Sequence, residues 1–289
     1  MENQPNSKYY NEIVNYYDTC DIDYKMLWRL DRCLAMHYGY WDETTEGVSD
    51  ALVRENQILA ERAQITKEHR VLDAGCGVGG SSIWLAQNLG CKTLGITLSQ
   101  GQVNACRKNA EDRGTSELTG FEVRDYTDTG LDDASFDIVW AVESVCHATN
   151  KEDFVKESLR LLKPGGKLII ADFWATQHEY KGEDATTMEE WVSGWSVNEL
   201  EHIDNFRSYL GKNGFNELSY EDATENVRPS AQRLHKYAKW TLFLAKVLEF
   251  LRLRTKAQSG NVVAVHRANI ALERGLWSYG IICAQKPES

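Results

Sequence analysis

The run Arg70-Val71-Leu72-Asp73-Ala74-Gly75-Cys76-Gly77-Val78-Gly79-Gly80 carries the strongest chemical signal in the chain. A short apolar stretch meets a carboxylate, Asp73, and four glycines follow within six residues. Glycines between a strand and a helix bring backbone close to a ligand, with N–H groups aimed at it. That arrangement suits a nucleotide-like cofactor. A second signal is Glu143-Ser144-Val145-Cys146-His147, which follows the apolar run Phe136–Val142. Glu143 and His147 both titrate, so either can exchange a proton with a substrate. A third set is aromatic and lies near the N-terminus: Tyr9, Tyr10, Tyr16, Tyr17 and Tyr24. Nearby, His37 opens the stretch His37-Tyr38-Gly39-Tyr40-Trp41.

These residues need a scaffold, and the pattern between residues 70 and 174 supplies one. Short β-rich runs alternate with helical stretches. Strands are expected at Arg70–Ala74, Cys91–Ile96, Phe121–Arg124, Phe136–Val142 and Lys167–Phe173. Helices are expected over Gly79–Leu89, from Ser99 to about Arg113, and over Lys151–Leu162. Ser99 and Asn150 suit their N-caps. The turn Lys163-Pro164-Gly165-Gly166 should end the last helix. Phe136–Val142 is nearly continuous in apolar residues, as a central parallel strand requires. The alternation predicts an α/β, doubly wound sheet with ligands at the carboxyl ends of its strands. Residues 1–65 read as an N-terminal helical cap. Residues 66–289 read as the core, with a helical lid inserted at about 175–275, a strand near Asn216–Glu221 and a last strand within Gly275–Ala284.

Composition narrows the partners. The formal net charge of −11 opposes nucleic acid, which needs a basic footprint. No apolar run approaches the ~20 residues of a membrane span, and the polar start lacks a signal-peptide core. The seven cysteines have no CxxC spacing and read as reduced thiols, so a cytoplasmic protein is expected. No clustered carboxylates or His/Cys spacing suggests a metal.

Gly75-x-Gly77-x-x-Gly80 also fits a dinucleotide fingerprint, which would make the chain an NAD-dependent oxidoreductase. That motif needs an acid ~20 residues on, for the ribose hydroxyls. Here the stretch reads Gly95-Ile96-Thr97-Leu98-Ser99, and no acid occurs between Asp73 and Glu111. Asp73 would also repel a pyrophosphate. It suits a cationic ligand such as S-adenosylmethionine, which carries a sulfonium and an ammonium group. It could equally cap the loop's own N–H groups.

Residues 71–82, together with Gly95-Ile96-Thr97-Leu98-Ser99 and Gln102, resemble the class I S-adenosylmethionine-dependent methyltransferases, and within them the tocopherol and sterol C-methyltransferase branch. The likeness continues through Phe136–Ser144 and Leu161–Gly166 and covers roughly residues 68–174. It implies a seven-stranded Rossmann-like methyltransferase sheet. It also implies that Asp73, Gly75 and Gly77 hold the methionine part of the cofactor, with Cys76 and Leu98 among the contacts. Thr97 and Gln102 would lie near the ribose and the adenine edge. Asp125, with Tyr126, would reach the adenine amino group, and Glu143 would lie near the methyl donor. In this family an N-terminal helix closes over the donor, so Tyr16 or Tyr17 could present a hydroxyl or ring face to the reacting centre. The more distant cyclopropane synthases carry a Glu-His pair where this chain has Cys146-His147, a departure that argues against their bicarbonate-assisted chemistry.

Methyl transfer is an in-line displacement that rests mainly on alignment. An alkene carbon acceptor also needs an anion or π-face to steady a carbocation, then a base. The expected acceptor is a small molecule, lipophilic, prenylated or polycyclic, with C-methylation favoured over N- or O-methylation. Trp174, Trp191, Trp195 and Trp240 are expected to line its pocket. From Val227 to Gln258 eight basic residues stand against one acid, Glu249. That apolar, basic segment leaves open a lid, a peripheral contact with a membrane surface, an acidic group on the substrate, or a homo-oligomer interface.

Overall fold

The computed structural model describes residues 9, 10, 12–16, 19, 33–251 and 255–288. Tyr17 and Tyr24 lie outside them. Helix α1 (Val48–Ala63) precedes strand β1 (Arg70–Ala74), and α2 (Gly80–Leu89), β2 (Lys92–Thr97), α3 (Gln100–Asp112) and β3 (Thr119–Val123) follow. The chain continues through β4 (Phe136–Val142), a 3-10 turn at Val145–His147, α4 (Lys151–Leu161) and β5 (Leu162–Ala175). Then come α5 (Glu183–Gly194), α6 (Ile203–Asn213), β6 (Asn216–Asp222), α7 (Thr224–Phe250), α8 (Lys256–Glu273) and β7 (Trp277–Gln285).

The seven strands form one sheet in the order β3-β2-β1-β4-β5-β7-β6. Strands β1 to β5 pair in parallel, and β7 runs antiparallel between β5 and β6. This is the expected α/β sheet. Segment 175–275 supplies helices and also the edge strand β6.

Local chemistry explains most boundaries. The Ser99 hydroxyl accepts from the Gln102 N–H, and the Asn150 side chain accepts from the Glu152 N–H, so both expected N-caps are present. The turn at Lys163–Gly166 differs from expectation because it is drawn into β5. Leu162 pairs with Phe136, and the register then shifts so that Lys167 meets Ile138. Pro164 cannot extend a helix, and Gly165 takes a positive φ of 74° there.

Side chains alternate across the central strands. Val71, Trp140, Ile169 and Ile281 face α1, α5, α7 and α8, whereas Leu72, Val139, Ile170 and Ile282 face α4 and α6. Both faces are dry, as a doubly wound sheet requires. Chain order reverses between β1 and β4, which opens a crevice at the carboxyl edge.

Candidate active site

The glycine loop rises from the end of β1 into this crevice. Gly75, Gly77 and Gly79 all have positive φ (91°, 53° and 88°). A Cβ on Gly75 would stand 2.5 Å from the Ser144 Cβ, so loop and β4 end touch through hydrogen alone. One expectation needs correction: the N–H groups of Gly75 and Cys76 do not aim at a ligand. Both donate to the Ile96 carbonyl, at 2.9 and 3.0 Å. The β2 backbone therefore holds the loop open, while the Cys76 side chain packs with Ile83, Cys106 and Phe121.

Asp73 is buried and accepts a 2.6 Å hydrogen bond from the Ser82 hydroxyl in the first turn of α2. Burial pushes its carboxyl up to about 6. Thr97 donates to Gln102 Oε1, which ties the end of β2 to α3. Asp125 Oδ1 accepts from the Thr127 N–H and hydroxyl, at 2.8 and 2.7 Å. The Tyr126 hydroxyl donates to the Ser144 carbonyl at 2.8 Å, and its ring meets Phe154 edge-on. That phenol thus braces the β4 end.

A cavity of about 1050 Å³ gathers these residues. Asp73, Gly75, Cys76, Gly77, Thr97, Leu98, Gln102, Asp125, Tyr126, Glu143 and His147 all line it, and Tyr10, Ile13 and Val14 of the N-terminal segment cover it. Three acids border it against one arginine, Arg124. That guanidinium is engaged by Glu122 and the Thr129 carbonyl, both at 2.5 Å. Three acids against one engaged guanidinium fit a cationic ligand better than a pyrophosphate. Among the described residues no group of three or more His, Cys, Asp or Glu side chains could hold a metal ion.

A second cavity, about 580 Å³, adjoins the first. Met36, Glu143 and His147 border both. Tyr38, Phe173, Trp191 and Trp195 line the second, with ring centroids 5.3 to 6.2 Å apart in edge-on or tilted pairs. Its polar wall is Asn261, whose Oδ1 accepts from the Tyr16 hydroxyl and the Trp195 indole, each at 3.1 Å. Tyr16 therefore stands behind this wall and borders neither cavity. Two expected tryptophans are elsewhere. Trp174 packs on Phe206 on the opposite face of the sheet, and Trp240 is 87% exposed on α7.

Glu143 sits where β4 ends, with a positive φ of 47° that is costly for a side chain of this size. Its Oε1 accepts from the Tyr38 N–H at 2.7 Å and lies 3.1 Å from the Tyr279 hydroxyl. Burial and the nearby Glu55 push its carboxyl well above the usual range. His147 goes the other way: burial lowers its imidazole to about 4, which keeps it neutral near pH 7. The Asp172 carboxylate, alone at the end of β5, accepts from the N–H groups of Cys146 and Phe173 and fixes the turn that carries His147.

Two residues of this region escaped the sequence reading. Glu55 interrupts the buried stripe of Leu52, Ile58 and Leu59 on α1, and an acid at that spacing was a usable signal. Tyr279 lies within an apolar strand and gives none.

Residues 72–170 match the family described as a methyltransferase domain. The chain is 30% identical to methyltransferase GfsG of Streptomyces halstedii over 76% of its length and 78% of the relative's. It is 31% identical to the 27-O-demethylrifamycin SV methyltransferase of Amycolatopsis mediterranei, over 76% of this chain and 79% of that one. For the chloroplastic tocopherol O-methyltransferase of Arabidopsis thaliana the identity is 28%, over 87% and 76%. Among solved structures, the [4+2]-cyclase SpnF (24% identity, TM-score 0.75, 96% of both chains) shares the fold. So does the cyclopropane synthase MmaA2 of Mycobacterium tuberculosis (12%, TM-score 0.81, 96% and 98%). The chain belongs to the class I S-adenosylmethionine-dependent methyltransferases and resembles their tocopherol and sterol branch. It is an enzyme, and no described helix is long and apolar enough to cross a membrane.

Proposed function

We propose that the larger cavity holds S-adenosylmethionine and the aromatic cavity holds a lipophilic, prenylated or polycyclic small molecule, which the enzyme methylates. The observation that carries this reading is the shared wall: Met36, Glu143 and His147 border both spaces. The cofactor supplies an electrophilic methyl group. Asp73, with the edges of Gly75 and Gly77, holds the amino-acid part. Thr97, Leu98 and Gln102 hold the ribose side, and Asp125 reaches the adenine. Glu143 and His147 flank the reacting centre.

Carbon methylation is the first reading. Four aromatic rings supply the π-faces that an alkene acceptor demands, and Glu143, once ionised, supplies the base. Oxygen methylation is the second, supported by relatives named as O-methyltransferases. Tyr16 acts as a brace on Asn261 in this reading. Tyr17, outside the described residues, stays a candidate to present a hydroxyl or ring face to the reacting centre.

Helix α7 supports a peripheral contact with an anionic membrane surface. Trp240 and Tyr237 are exposed beside Lys236 and Lys239, and the Arg233 guanidinium lies 5.2 Å from the Tyr237 ring centre.

The site assignment is tested with Glu143→Gln and His147→Ala. Both are expected to lose turnover of methyl-labelled cofactor while binding S-adenosylhomocysteine as the wild type does in calorimetry. Unchanged turnover in both would overturn it.

A further inference from the structure

A chain of polar contacts runs from the shared wall behind the cavities and returns to the larger one at His37. The Tyr279 hydroxyl lies 2.6 Å from Glu55 Oε1 and 3.1 Å from Glu143 Oε1. Its single hydrogen can serve only one carboxylate at a time, and the shorter contact is to Glu55. The other Glu55 oxygen accepts from the Gly39 N–H at 3.0 Å and contacts His37 Nδ1 at 2.5 Å. Glu55 is fully buried on α1, and each of its oxygens has a hydrogen-bond partner, Tyr279 on one and Gly39 on the other. His37 Nε2 is buried without a hydrogen-bond partner, and its ring borders the larger cavity.

Two buried carboxyl groups on one phenol cannot both ionise cheaply. Burial and the neighbouring Glu55 both act against charge on Glu143, so Glu143 is the partner that keeps a proton. We propose that Glu55 is a positioning residue for this site: through Tyr279 it holds Glu143 in its strained pose and governs whether Glu143 meets the cavities as an acid or as a carboxylate. The inference rests on the reading that Glu143 faces the methyl donor. The other groups around Glu143 are Asp172 of β5, the Tyr38 N–H, and Cys146 and His147 of the turn after β4. Asp172 acts on Glu143 in the same sense as Glu55, but both its oxygens are engaged by backbone N–H groups.

The test needs no acceptor. S-adenosylmethionine carries a sulfonium charge at the reacting end, and S-adenosylhomocysteine carries none. An ionised Glu143 favours the first over the second, so the ratio of their affinities, measured by calorimetry across pH, rises as Glu143 ionises. Glu143→Gln should flatten that rise. Glu55→Gln keeps an acceptor for the Gly39 N–H or the Tyr279 hydroxyl but removes the carboxyl that opposes ionisation of Glu143. It should move the midpoint to lower pH by about one unit, the size expected of a like-charged neighbour. Tyr279→Phe, which removes only the bridge, should also displace the midpoint. A wild-type midpoint in both variants, or an upward move in Glu55→Gln, overturns the inference. If Glu143→Gln keeps the wild-type rise, the failure lies instead with the placing of Glu143 at the donor.

Discussion

Gly75→Ala offers the sharpest test of how the glycine loop is built. At φ 91° an L side chain is strained, by roughly 1–2 kcal/mol. The new Cβ would lie 2.5 Å from the Ser144 Cβ, so one of the two backbones must move. Overpacking of that kind costs about 1–3 kcal/mol. Ser144 also donates to the Ala74 carbonyl at 2.7 Å from a buried position, and losing that bond adds roughly 1 kcal/mol. The sum is roughly 3–6 kcal/mol, a large share of the 5–15 kcal/mol typical of a folded domain. Gly114 is the control: its φ is 70°, and a Cβ there meets nothing within 4 Å. Gly114→Ala should therefore show the strain alone. Urea unfolding of both variants reads the stabilities, and calorimetry with S-adenosylhomocysteine reads the cradle. Pairing Gly75→Ala with Ser144→Gly should recover part of the loss. Equal destabilisation by Gly75→Ala and Gly114→Ala would refute the reasoning, because close approach to Ser144 would then contribute nothing.

Asp73→Asn should weaken S-adenosylhomocysteine binding by about 1.5–3 kcal/mol, the range for hydrogen bonds to charged groups, and calorimetry would read it. The buried Asp73 and Asp172 carboxyls, each pushed up to about 6, are protonated more readily folded than unfolded. Their contribution to stability is therefore full below about pH 4 and is lost as pH rises through 6, which urea midpoints of Asp73→Asn against wild type across pH 4–8 would register. His147 has the opposite sign: lowered to about 4, it contributes stability above pH 6.5 that is lost as pH falls through 4, so the gap between wild type and His147→Gln should narrow in acid. Trp240→Ala, at an 87% exposed position, should change stability by less than about 0.5 kcal/mol. It should also reduce co-sedimentation with phosphatidylglycerol vesicles but leave phosphatidylcholine vesicles unaffected.

The sequence was most informative where local rules act alone. Asp73, the glycines, Ser99 and Asn150 follow from strand ends and helix caps, and the structure has each where spacing put it. The roles of N–H groups were not legible, because Gly75 and Cys76 donate to Ile96 across a strand pair that spacing does not reveal. The same holds for aromatic residues. Trp174 and Phe173 are neighbours, yet strand alternation sends one to Phe206 and the other to the aromatic cavity. Glu55 and Tyr279 reach Glu143 only through packing of α1 and β7 on the sheet, contacts separated by more than eighty residues.

The central claim is that a sulfonium donor and a greasy acceptor meet across Glu143 and His147. Its most direct test is label transfer from methyl-labelled S-adenosylmethionine over prenyl diphosphates, sterols, quinols, indole alkaloids, glycine and sarcosine, read by mass. The expected result is one added methyl on a lipophilic acceptor, diminished by Trp195→Ala. Label on glycine or sarcosine alone would contradict the account.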